Sequence, residues 1–274
     1  VSLTAADCEY VYRLVRQRAG IVLDADKAYL VETRLAPLAR QGGFESIQGM
    51  LTHSQASPHA ALRDKLVEAL TTNETSFYRD VRPFDALREV VLPDLLRKRA
   101  AARRLEVWCA AASTGQEPYT LAMLLREHFP ELAGWDVRLT ATDISTDVLA
   151  RARAGCYSQV EVNRGLPAPL LAKYFSRVGA NWKLADDIRR MVDFRPLNLI
   201  ERWPDLGRPD LVLIRNVLIY FDVPTKKDIL ARARRILRPD GYLMLGGGET
   251  TLNLDDGFER VDYERAGVYR LRSI

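Results

Sequence analysis

The sequence predicts an α/β protein: a Rossmann-like, doubly wound parallel sheet with a small inserted antiparallel β-lobe, preceded by an all-α N-terminal domain. Three observations predict it. Residues 4–70 carry helical periodicity and no strand signal. From Leu105 onward, short apolar runs alternate with amphipathic stretches, as parallel βα units require. The first of these runs, Leu105–Ala110, leads into Ala111-Ala-Ser-Thr-Gly-Gln-Glu-Pro-Tyr119. That is a turn of small residues followed by a helix start, the place where open α/β sheets bind ligands.

In the N-terminal part, Thr4-Ala-Ala-Asp7 resembles a capping start, with an apolar stripe through Val11, Leu14 and Val15. A second helix is expected from about Asp26 to Gln41, carrying Leu30, Val31, Leu35 and Leu38, and stopping at Gly42-Gly43. A third covers about Ser46–Leu51. After the polar stretch Thr52–Pro58, a fourth runs from about His59 to Leu70. Phe84–Arg99 reads as a long helix interrupted at Pro93, with the basic tail Arg97–Arg104 as connector. The expected division is a helical domain over 1–80, a helical linker over 81–104 and the sheet domain over 105–274.

In the sheet domain, strand Leu105–Ala110 is followed by a helix over about Glu117–Phe129. Strand Asp136–Thr142, closed by Asp143, is followed by a helix over about Thr146–Ala154. Leu211–Ile214 is a strand, Lys226–Leu237 a helix stopped by Arg238-Pro-Asp-Gly241, and Tyr242–Leu245 the next strand. Phe258–Val261 and Gly267–Leu271 read as a closing antiparallel pair. Residues 155–196 break the rhythm. Tyr174–Val178, Trp182–Leu184 and Met191–Arg195, with a turn at Gly179-Ala-Asn181, suggest the inserted lobe over about 170–196.

Composition excludes several classes. The chain has 274 residues, 47% hydrophobic and 28% charged, as in ordinary globular proteins. Cys8, Cys109 and Cys156 are odd in number and form no C-x-x-C pair, which argues against a disulfide framework and a zinc site. No apolar run is long enough to span a membrane. No signal peptide is read from Val1, where the missing Met leaves room for trimming, and the expected compartment is the reducing cytoplasm. A monomer is expected. The net charge is +4, and most of the surplus lies before Leu105, which suggests an acidic partner surface or simply a solvated arginine-rich face.

The chemistry-bearing residues fall at strand ends. The turn after the first strand lacks G-x-G-x-x-G and G-x-x-x-x-G-K-[ST], so it has no pyrophosphate to cradle. Its small side chains let backbone approach a ligand closely. Glu117 puts an acid where those motifs favour phosphate, so a cationic adenosine ligand, S-adenosylmethionine, fits better. Glu117 is equally a first-turn acid that suits the helix dipole. Asp143 reads as an acceptor for ribose hydroxyls or as a helix cap. Arg215 and Asn216 abut a buried run and must have partners; Tyr220 lies nearby in sequence. Thr71-Thr-Asn-Glu-Thr-Ser-Phe-Tyr-Arg79 reads as a capping linker or as a lid.

Thr71–Arg79, Ala110–Tyr119, Ala141-Thr-Asp143-Ile-Ser and Arg215-Asn-Val-Leu-Ile-Tyr-Phe-Asp222 together resemble the CheR-type chemotaxis receptor methyltransferases, over nearly the whole chain. The resemblance implies a Rossmann-like methyltransferase that moves a methyl group from S-adenosylmethionine to glutamate side chains on cytoplasmic receptor helices, leaving S-adenosylhomocysteine and a glutamyl methyl ester. It implies cofactor contacts at Asn73, Thr75, Arg79, Glu117, Asp143, Asn198, Leu199, Asn216 and Val217. It places Arg79 and Tyr220 beside the transferred methyl. It also implies a basic helical face for the receptor, for which Lys27, Arg34 and Arg40 are the candidates. The lobe linker Ser176–Met191 looks shorter than in members that grip a receptor tether peptide, which suggests a form that does not use the tether. Two other readings are a nucleic-acid methyltransferase, for which no aromatic-interleaved basic patch is visible, and a non-catalytic S-adenosylmethionine-binding adaptor.

Overall fold

The computed structural model describes residues 3–23, 28–56, 60–263 and 266–272. The chain divides into two compact units: Val1–Thr72 with Tyr220–Thr225, and Asn73–Ile219 with Lys226–Ile274.

The first unit holds α1 (Ala5–Ala19), α2 (Ala28–Gln41), α3 (Ile47–Ala56) and α4 (Ala60–Leu70). Thr4 and Asp7 form the expected capping box on α1, each side chain taking the other's backbone N–H. The helices bury Val11, Val15, Val31, Leu35, Met50, Leu51 and Leu66. The stretch Thr52–Pro58 is not a loop throughout, because α3 continues to Ala56. Ser54 explains this: it is buried, and its hydroxyl hydrogen-bonds the Tyr10 hydroxyl at 2.8 Å, so a polar residue lies on the inner face.

The second unit begins at Asn73 rather than near residue 80. Its α5 (Arg82–Ala86), a π-helical turn (Leu87–Val91) and α6 (Leu92–Arg99) follow one another without a break. Pro93 has no N–H to donate and crowds the preceding turn, and the wide π turn absorbs this. Phe84, Leu87, Val91, Leu92, Leu95 and Leu96 join the core of the sheet, so residues expected as a linker belong to that core.

The sheet domain contains β1 (Arg104–Ala110), α7 (Gln116–His128), β2 (Asp136–Asp143), α8 (Thr146–Ala154), β3 (Cys156–Ser158), α9 (Gln159–Asn163), α10 (Ala168–Tyr174), β4 (Phe175–Val178), β5 (Asn181–Leu184), α11 (Asp186–Arg189), β6 (Val192–Pro196), β7 (Leu211–Ile214), α12 (Val223–Ile236), β8 (Tyr242–Leu245), β9 (Phe258–Arg260) and β10 (Val268–Leu271). Seven strands form one sheet in the order β6-β2-β1-β7-β8-β10-β9. The first five are mutually parallel, and β10 pairs antiparallel with β8 and β9. The chain moves outward from β1 to β2 and β6, then returns to β7 on the other side. That switch leaves a crevice beyond the carboxyl ends of β1 and β7.

The inserted lobe is a three-stranded antiparallel sheet, β3-β5-β4. Met191–Arg195, expected in this lobe, instead supplies β6, which pairs parallel with β2. Its alternation, with Val192 and Phe194 buried and Asp193 and Arg195 exposed, suits an edge strand covered on one face as well as a hairpin arm. The third lobe strand is β3, only three residues long.

Candidate functional site

The carboxyl ends of β1, β2, β6, β7 and β8 share one edge of the sheet, which gathers the expected residues of the second unit. The β1–α7 turn is built from left-handed backbone: Ala111 has φ 53, Ser113 φ 50 and Gly115 φ 92. Only Gly is unstrained there, so two of the three residues store conformational cost. Gly115 is also required sterically, since a Cβ would lie 3.0 Å from Ala152 and 3.2 Å from the Phe194 ring.

Asp143 ends β2 and is buried. Its carboxylate accepts the Ser113 N–H at 2.8 Å and the Ser145 N–H at 3.0 Å, stitching the β1–α7 turn to the start of α8. Ser145, not Asp143, is the helix cap, accepting the Val148 N–H.

Asn73–Arg79 lies against the same turn. The Asn73 carbonyl accepts the Ser113 hydroxyl at 2.9 Å, and the Tyr78 N–H donates to Thr120 Oγ1 at 3.2 Å. Phe77 is fully buried between Tyr157 and Phe175, which anchors the segment. Thr75 is half-buried. Arg79 is half-exposed and donates to the Glu74 carbonyl at 2.7 Å. Left-handed backbone recurs at Tyr78, Asp80 and Val81.

Glu117 does not present a free carboxylate. Its Oε2 accepts Arg215 Nη1 at 2.6 Å. Arg215 is 1% exposed in its side chain and reaches further, to the Arg79 carbonyl and Asp80 Oδ2, both at 3.0 Å. Its guanidinium also lies over the Phe84 ring. One arginine at the end of β7 thus joins the α7 start to the Asn73–Arg79 segment. Burial pushes the Glu117 carboxyl up, against the opposing attraction of Arg215. Arg215 Nε is buried without a partner among the described residues.

Asn198 and Leu199 follow β6. The Asn198 side chain donates to Glu201, and Leu199 is buried with its carbonyl accepting Trp203 Nε1 and Arg232. The Trp203 ring meets Trp108 of β1 edge-on at 4.8 Å, and Trp108 donates to Thr142, so the loop is braced on the sheet.

Asn216 and Val217 follow β7, with Asn216 left-handed at φ 58. Glu249 holds them and was not singled out from sequence. Its carboxylate accepts the N–H groups of Gly246 at 2.6 Å, Asn216 at 2.8 Å, Val217 at 2.9 Å and Ile219 at 3.3 Å. The sequence marks Arg215 as needing a partner but not which one, and Glu249 is not marked at all, because the partners of both are distant in sequence.

Tyr220 groups with the helical unit, where its carbonyl accepts the Val22 N–H at 2.9 Å and it lines a cavity of about 90 Å³ with Leu30, Arg34 and Leu70. Arg34 is spent on the end of α4, donating to the carbonyls of Leu70 and Thr71 and to the Thr72 hydroxyl. It is a helix cap rather than a projecting cation. Arg40 is exposed, and Lys27 lies outside the described residues. In the basic connector, Arg97 and Lys98 pair with Asp94, Arg99 with Asp210 and Asp240, and Arg104 with Glu106. Among the described residues, no helix is long and apolar enough to cross a membrane, and no group of acids, histidines and cysteines could hold a metal ion.

Two family models cover almost the whole chain. "CheR methyltransferase, all-alpha domain" matches residues 6–71, and "CheR methyltransferase, SAM binding domain" matches 73–266. Chemotaxis protein methyltransferase 1 of Pseudomonas aeruginosa is 40% identical over 99% of this chain and 100% of its own. A chemotaxis protein methyltransferase of Pseudomonas putida is 37% identical over 97% and 98%. That of Vibrio parahaemolyticus is 37% identical over 99% of both chains. The residues present fit S-adenosylmethionine. The turn of small residues leaves backbone at a strand end, Asp143 is a buried acid placed for ribose hydroxyls, and Arg215 Nε is a buried donor without a partner among the described residues.

Proposed function

The chain belongs to the CheR methyltransferase family, and from that premise we propose that it methylates glutamate side chains on the cytoplasmic helices of chemotaxis receptors, forming glutamyl methyl esters. Its coarser activity is S-adenosylmethionine-dependent methyl transfer in chemotaxis. The observation that supports the finer reading best is the crevice itself. It brings Asn73–Arg79, the Ala111–Gly115 turn, Asp143 and the Arg215–Val217 loop to one sheet edge.

S-adenosylmethionine, when bound, supplies a methyl group already activated on a positively charged sulfur. A glutamate is ionised at neutral pH, so this chain needs no base to activate it. What remains for its residues is holding, aligning and drying the two reactants. In this reading Glu117 receives the cofactor's ammonium group and Asp143 its ribose hydroxyls. Asn198, Leu199, Asn216 and Val217 wall the adenine end, and Asn73 and Thr75 close the crevice from the N-terminal side. Arg79 pairs with the incoming carboxylate. Tyr220 is assigned to the methyl end on the family motif, and Arg40 is an exposed candidate for the receptor-facing cations.

The test is methyl transfer from radiolabelled S-adenosylmethionine to receptor-containing membranes. The expected label is on receptor protein and is released by mild base, as a carboxyl ester requires. Base-stable label on receptor, label in RNA or DNA, or none despite cofactor binding would overturn the reading.

A further inference from the structure

Glu249 carries no assigned role, yet its carboxylate takes four backbone N–H groups from two loops at the sheet edge. Three of them, from Asn216, Val217 and Ile219, belong to the loop after β7; the fourth, from Gly246, follows β8. The fit is close on the β8 side. A Cβ on Gly246 would lie 2.7 Å from the Asn216 side chain, 2.8 Å from its backbone N and 2.8 Å from Glu249 Oε2.

No described peptide bond is cis. In a trans peptide the N–H and C=O point in opposite directions. The N–H groups of Asn216, Val217 and Ile219 face Glu249, so the carbonyls of Arg215, Asn216 and Leu218 face away from it. β7 lies between β8 and β1 in the sheet. Glu249 follows β8, so these carbonyls point away from the β8 loop. The same contacts hold Asn216 at φ 58. Asparagine tolerates that region better than other non-glycine residues, so the loop can hold it there at little cost.

We infer that Glu249 is a positioning residue for the methyl-donor pocket: it locks the Asn216–Ile219 loop in advance so that its carbonyls, not its N–H groups, face the cofactor. The effect is electrostatic as well as geometric. A row of carbonyl oxygens favours a cationic ligand and the N–H donors of a purine, whereas the flipped loop would present N–H dipoles to them. The inference rests on reading Asn216 and Val217 as a pocket wall.

The test compares Glu249→Gln, Asn216→Ala and the unaltered chain by calorimetric binding of S-adenosylhomocysteine and by amide hydrogen exchange. Gln keeps the shape but turns an NH₂ group towards N–H donors. Its affinity is expected to fall at least about tenfold, the scale of one charge-assisted hydrogen bond. KM for S-adenosylmethionine should rise with it, while KM for receptor stays unchanged. Asn216→Ala should also weaken binding. In the unaltered chain the Asn216, Val217 and Gly246 amides should be protected before ligand is added, a readout that holds even if the Gln variant folds poorly. Protection that arises only with ligand would overturn the inference. So would unchanged affinity in Glu249→Gln alongside weakened binding in Asn216→Ala. Unchanged affinity in both variants would remove the pocket-wall reading and the inference with it.

Discussion

Glu117 and Arg215 form an ion pair that ties the start of α7 to the end of β7. Breaking a buried pair by removing one partner is costly, but here Arg215 also holds Asp80 and the Arg79 carbonyl. Burial lifts the Glu117 carboxyl above its ordinary value of 4.5, with Arg215 opposing. The native chain therefore retains a proton that the unfolded chain has released, and stability falls as pH rises from 4.5 through the raised value. Glu117→Gln removes this titration. Urea unfolding from pH 4 to 8 should show the stability of the unaltered chain, relative to Glu117→Gln, declining as pH rises. A difference that grows with pH would mean that the Arg215 attraction outweighs burial. Arg79 makes a different case. Its side chain donates to the Glu74 carbonyl and is half-exposed, so truncation should leave the fold intact. Arg79→Ala should lower kcat at least about 10²-fold, as misplacement of a reactant does, with cofactor affinity changed far less. Equal losses in both would confine Arg79 to the cofactor site. Neither Arg79's motif nor Glu117's was hard to read from sequence. The partners were, because Arg215 lies 98 residues from Glu117 and no periodicity links them.

The two ends of the parallel strands divide the labour. The carboxyl ends hold strained turns and the crevice; the amino ends hold an ion cluster that locks elements together. Asp210 is fully buried before β7. It accepts the Glu106 N–H of β1 at 2.9 Å, Arg99 Nε of α6 at 2.5 Å, and pairs with Arg238 after α12 at 3.1 Å. Asp210→Ala leaves two arginines facing a buried void and should destabilise by about 3–5 kcal/mol. Chemical unfolding would measure that loss, and kcat of the folded fraction should stay close to that of the unaltered chain. A kcat loss at full folding would tie this end to the chemistry after all. The strands here were legible because buried parallel strands are short apolar runs with turns between them. The lobe was legible only in part. The Phe175–Leu184 hairpin carries its turn at Gly179-Ala-Asn181, but β3 is too short to show a period, and β6 alternates as an edge strand does. Helices of four to seven residues, α9 to α11, also lack the length for a 3.6-residue pattern.

At the scale of the molecule, the chain crosses from one compact unit to the other and returns for six residues. Tyr220–Thr225 groups with the N-terminal helices although 147 residues of the second unit, Asn73–Ile219, intervene. Sequence reading had no access to this, since nothing local marks a segment as belonging with helices so far upstream. Within the first unit the segment has defined partners. The Tyr220 carbonyl accepts the Val22 N–H at 2.9 Å, Ile21 and Phe221 form an antiparallel bridge, and Asp222 pairs with Arg16 at 2.8 Å. The Arg16 pair is exposed and contributes little. The backbone bridge, of which the Val22 hydrogen bond at about 1 kcal/mol net is part, counts for more. Residues 1–72 made alone would retain α1 to α4 and their apolar core but lose these ties. The fragment is expected to be helical by circular dichroism and less stable than the same helices in the whole chain by roughly 1–3 kcal/mol. The sharpest difference should fall on one amide: Val22 is protected from exchange in the whole chain and should exchange freely in the fragment. Equal protection in both would mean that the N-terminal helices hold Val22 by themselves.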